Sequence, residues 1–121
     1  LNLARLAPRL PAIDTARIDQ TALNLAQNVN ASFADRSTAL SVCGESNMEE
    51  AAAVLLSVAG DPEAGFSLRL AAVGALGRRG RLETVASLNE IARVCDDPAI
   101  INAMSSATAK ILKSHSSEEI R

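Results

Sequence analysis

The chain has 121 residues, 48 % hydrophobic but only 2 % aromatic, with 12 basic and 14 acidic side chains. That length suits one domain with a buried core. A core of Ala, Leu, Val and Ile, with two Phe and neither Tyr nor Trp, favours packed helices over a β-sandwich. A net charge of −2 withholds the basic face that duplex nucleic acid requires, and no apolar run approaches the length of a membrane span.

The chain opens on Leu1-Asn2-Leu3-Ala4-Arg5-Leu6, with no initiator Met, no basic n-region and no cleavage site. This implies an excised or processed chain without a signal peptide. A short helix near 2–7 would end before Pro8 and Pro11. Helices are then expected near 14–28, 31–43, 47–59, 63–77, 82–95 and 97–113. Asn30 is a candidate cap. Ser46 and Glu49 have the spacing of a capping box for the third of these helices, and Met48, Ala51, Ala52, Leu55 and Val58 form its apolar stripe.

Asp61-Pro62 supplies an acceptor before a proline at a first helical position, and Asp97-Pro98 repeats the device. In the helix after Asp61, Phe66, Leu70 and Val73 share one side, and Leu68, Ala71, Ala72, Ala75 and Leu76 the next arc. That breadth suits a helix packed between neighbours. Leu82, Val85, Leu88, Ile91, Ala92 and Cys95 make a further stripe, and Ile100, Met104, Ala107 and Ile111 the last. Gly44, Gly60, Gly77 and Gly80 stand where helices should stop. The segment Ser114 to Glu119 reads as a linker or the start of another helix.

The pattern recurs. Asp61-Pro62 and Asp97-Pro98 lie 36 residues apart, and Leu68, Ala71 and Leu76 match Met104, Ala107 and Leu112 at the same offset. At an offset of 33, Phe66, Arg69, Ala72 and Gly77 match Phe33, Arg36, Ala39 and Gly44. A period in the thirties with two helices per unit is the mark of a helical solenoid. One domain over 1–121 is expected, in units near 1–29, 30–60, 61–96 and 97–121, as part of a longer protein.

The run from Asp61-Pro62-Glu63 through Leu68-Arg69-Leu70-Ala71-Ala72 to Ala75-Leu76-Gly77, continued by Leu82-Glu83-Thr84-Val85, resembles a HEAT-like repeat of the phycobilisome-lyase type. The flanking units match less closely: Ser105 stands where Arg69 does, and the unit at 30–60 lacks the Asp-Pro opening. The resemblance implies an all-α solenoid, a right-handed superhelix of stacked antiparallel helix pairs, with the second helices lining a concave surface. It implies mostly protein–protein recognition, and structural roles for Asp61 and Arg69.

Little here can carry chemistry. Metal centres need several converging His, Cys or carboxylate ligands, and the chain has one histidine, His115, expected to be solvated. No Gly-x-Ser-x-Gly elbow or phosphate loop occurs, and the adjacent carboxylates Glu49-Glu50, Asp96-Asp97 and Glu118-Glu119 point apart on helices. Cys43 and Cys95 read as small buried side chains and place the chain, by default, in the cytoplasm. The expectation is therefore a non-catalytic scaffold without cofactor, metal, nucleic-acid or membrane partner, holding a protein on its concave face; the alternative is a structural segment of a larger protein. Projection of the second helices puts Glu50, Ser57, Glu83, Ser87, Glu90 and Arg93 on that face. Arg78, Arg79 and Arg81 stabilise a helix C-terminus or contact an anion.

Overall fold

The computed structural model describes residues 12–46 and 48–120, with side chains from Ile18 to His115 apart from Asn47. They form six α-helices: α1 (Ala12–Gln27), α2 (Phe33–Glu45), α3 (Glu49–Ala59), α4 (Phe66–Arg79), α5 (Leu82–Val94) and α6 (Pro98–Ile120). No strand occurs among the described residues. The expected helix near 2–7 lies outside them.

Local chemistry sets most of the boundaries. Ser32 caps α2 by accepting from the Asp35 amide at 3.1 Å, and Asp97 accepts from the Ala99 amide at 3.0 Å ahead of Pro98. Gly80 ends α4 in the left-handed region at φ 65°, its N–H bonded to the Leu76 carbonyl. Arg78 and Arg79 stand in the last turn of that helix, where cations suit the dipole.

Several boundaries differ from expectation. Asp61-Pro62 does not open α4. It builds a single 3-10 turn, Pro62–Ala64, with Asp61 accepting from the Glu63 amide at 2.9 Å. Gly65, at φ 87°, then redirects the chain so that α4 begins at Phe66. Ser46 does not form a capping box. It is buried at the end of α2, donates to Asp19 Oδ2 at 3.0 Å and accepts from the Met48 amide at 3.1 Å. α3 therefore starts without a side-chain cap. Asn28, rather than Asn30, provides the side-chain acceptor in the α1–α2 turn. The Ser114 to Glu119 segment is no linker, because α6 runs through it to Ile120.

Short turns join the helices in two layers, in which α1 packs on α2, α3 on α4 and α5 on α6. α2, α4 and α6 pack closely side by side with α4 in the middle, while α1, α3 and α5 touch one another at fewer points. Leu40, Leu55, Val73, Leu76, Leu88, Ile100, Met104 and Ile111 are fully buried. Gly44 and Gly77 are not helix stops but buried positions inside α2 and α4. A Cβ on Gly44 would lie 2.9 Å from the Ala75 Cβ, and one on Gly77 would lie 3.3 Å from the Ala107 Cβ. Glycine and alanine at these crossings let the backbones approach, which is why the core needs no aromatic residue.

Two arginines repeat one tie. Arg36 Nε donates to the Ala26 carbonyl at 3.1 Å, and Arg69 Nε donates to the Ala59 carbonyl at 3.0 Å. Each reaches back ten residues to a last-turn carbonyl that the preceding helix leaves unsatisfied. Arg69 is only 8 % exposed and also donates to the Cys95 sulfur at 3.5 Å. Arg69 thus ties α4 to the preceding helix, whereas the side chain of Asp61 contacts only its own turn.

Candidate interaction surface

α3 and α5 present polar side chains away from the core. Glu50 and Ser57 are exposed on α3, as are Glu83, Glu90 and Arg93 on α5, while Ser87 is half-buried. Arg93 pairs with Glu90 at 3.2 Å. As an exposed pair three residues apart it contributes little stability, but it neutralises the one cation among these residues. Glu49, Glu50 and Glu83 are exposed and form no ion pair, and with Arg79 and Arg81 close by the face is of mixed charge.

Between the two helices lies a cleft of about 310 Å³ lined by Glu49, Ala52, Arg79, Arg81, Glu83 and Thr84. Of the six residues expected on this face, Glu83 alone lines it; the other five lie outside that cleft. Thr84 is buried, which a period built on apolar residues had no means of marking.

Arg78, Arg79 and Arg81 do come together. They line a neighbouring recess of about 430 Å³ with Gly44, Glu45 and Ser46. Arg79 is partly committed: it donates to the carbonyls of Cys43 at 3.1 Å, Ser46, and Met48 at 3.3 Å, so it holds the α2–α3 turn. Burial, and then the charge of Arg81, lower its pKa from the ordinary guanidinium value. Arg78 and Arg81 are exposed and make no side-chain hydrogen bond or ion pair.

Beneath this end of the stack, burial pushes the Cys43 thiol up to about 11, with the Asp19 carboxylate adding to the effect. Cys43 and Cys95 are both free thiols. His115 is not a solvated tail residue, because its Nε2 lies 2.6 Å from the Gly80 carbonyl. No three His, Cys, Asp or Glu side chains converge as a metal site among the described residues, and no described helix is long and apolar enough to cross a membrane.

A third recess, of about 360 Å³, was not expected. Phe33 and Phe66 line it with Ala31, Arg36, Ala64, Gly65, Ser67 and Leu68. Both rings are largely outside the core, at 56 % and 48 % exposure, although Phe66 was expected to pack with Leu70 and Val73. Each Phe is the first residue of its helix, beyond the packed turns. Their 33-residue spacing was the available signal.

A family model for HEAT repeats matches residues 20–108, most of the described chain. No curated protein and no solved structure gives a match.

Proposed function

The chain belongs to the HEAT-repeat family, and from that premise we propose that it is a non-catalytic protein-interaction scaffold whose partner lies across α3 and α5. The run from Asp61-Pro62 to Ala75-Leu76-Gly77 resembles the phycobilisome-lyase type of repeat, but the choice of α3 and α5 rests on their exposed polar side chains and not on curvature. HEAT repeats are commonly interaction scaffolds, and α3 and α5 both carry exposed polar side chains beside a cleft. One observation carries the choice of face: α3, the end of α4 and α5 enclose a cleft lined by Glu49 and Glu83 and by Arg79 and Arg81, with Glu50 exposed nearby on α3. A partner would be held there by polar contacts around a shallow recess rather than by an aromatic anchor.

The test is affinity capture with wild type and with Glu83→Lys plus Glu90→Lys. The proposal expects the charge-reversed protein to lose a partner that the wild type retains. Equal recovery by two equally folded proteins would overturn it. A purely structural role is the second reading, supported by the separate exposed apolar side chains of Val94 on α5 and Leu112 on α6, which another domain would cover. It expects no partner dependent on the α3–α5 face.

A further inference from the structure

We propose that the recess at the C-terminal end of α4 is an oxyanion site selective for a phosphate monoester, such as a phosphorylated serine or threonine. The α3–α5 docking proposal could fail without affecting it.

The recess is lined by three guanidinium groups and one carboxylate, Glu45, a formal excess of two positive charges that the C-terminal dipole ends of α2 and α4 offset in part. A phosphate monoester carries about −1.5 to −2 at neutral pH, with three strong acceptor oxygens. A side-chain carboxylate matches half of that charge. A nucleic-acid phosphate is a diester with a single charge, and nucleic acid would further need an extended cationic track or stacking rings; no aromatic residue lines the recess.

The donors are available. Arg78 and Arg81 spend none of their N–H groups within the protein, although Glu49 and Glu83 line the adjoining cleft with Arg79 and Arg81. Arg79 forms the floor, fixed by its three carbonyl contacts. The lining also depends on Gly44, because an Arg78 Nη2 lies 2.9 Å from where a Cβ at that position would stand. The guanidinium therefore lies over the glycine. Guanidinium groups bind phosphate in pairs of parallel hydrogen bonds, and two unspent groups around a fixed third suit a tetrahedral dianion. Arg81 is close enough to Arg79 to contribute, after burial, to its lowered pKa, and an anion between the two would offset that like-charge repulsion.

Amide chemical shifts measured during titration test the site. The probes are inorganic phosphate, a short Gly/Ala peptide with one central phosphoserine, and the same peptide unphosphorylated. Saturable shifts at Gly44, Ser46 and Arg81 are expected with the first two. They should weaken at least tenfold in the Arg78→Gln plus Arg81→Gln protein and strengthen in Glu45→Gln. Both arginines are exposed and unbonded, so an unchanged melting temperature will show that the double variant is folded. A phosphopeptide binding tenfold or more tighter than inorganic phosphate identifies a phosphorylated partner; equal affinity identifies a free anion. The site is overturned by absent shifts, by undiminished binding in the double variant, or by equal binding of the unphosphorylated peptide.

Discussion

Single side chains fasten this stack, and they differ in how much they contribute. Arg69 and Arg36 make the same backward contact, but Arg69 is buried and Arg36 half-buried. Removing a buried donor leaves its acceptor desolvated and unpaired, which costs more than losing a solvated bond. Arg69→Ala is expected to lower stability by about 2–4 kcal/mol and Arg36→Ala by about 1 kcal/mol. Chemical denaturation of the two variants would check this, and equal losses would contradict it. Cys43 supplies a dependence on pH. Its folded thiol keeps its proton up to about pH 11, whereas the unfolded thiol loses it near 9.0. The corresponding stability, about 3 kcal/mol, is complete below pH 9 and is lost as pH rises from 9 to 11. Cys43→Ala should flatten that fall in a denaturation series across the same range. Arg69's 33-residue match with Arg36 was legible in the sequence. The acceptors were not, because a backbone carbonyl leaves no mark on residue type.

Among the helices, apolar period located α3 to α6, and capping chemistry misplaced some of the helix ends. Ile100, Met104, Ala107 and Ile111 are all buried as their spacing implied, whereas Phe66 is exposed and Leu70 only half-buried. The buried face of α4 is narrow at its start, where Leu68 and Arg69 are buried and Phe66 faces outward. Ser46 was misassigned because a hydroxyl before a helix can bond a residue far away in sequence, here Asp19, as readily as the third residue on. The glycines divide by the same logic of context. Gly44→Ala forces a Cβ against Ala75 and should destabilise by about 1–3 kcal/mol. Gly74 has open space, its nearest neighbour being Arg78 Nη1 at 4.0 Å, so Gly74→Ala should stabilise by about 0.5–1 kcal/mol through helix propensity. Thermal melts of both proteins check the opposite signs. Two shifts of the same sign would contradict the close approach of α2 to α4.

Across the whole molecule, the all-α stack and its HEAT character were legible because repetition multiplies a weak local signal: Arg36 and Arg69, Gly44 and Gly77, and Phe33 and Phe66 each recur at 33 residues. Recesses are less legible, since they depend on how far apart helices of one layer stand. Here α1, α3 and α5 are spaced more widely than α2, α4 and α6, the reverse of a tightly curved inner layer. The α3–α5 face is thus better defined by its exposed charged side chains and its cleft than by curvature. The most direct test of docking on that face is photo-crosslinking in source lysate, with one reactive side chain placed at Ser57 on α3 or at Ser41 on α2, both exposed. The scaffold account predicts a discrete adduct from position 57 that is lost in Glu83→Lys plus Glu90→Lys, and none from position 41. Adducts equally abundant from the two positions, or surviving the charge reversal, would contradict it.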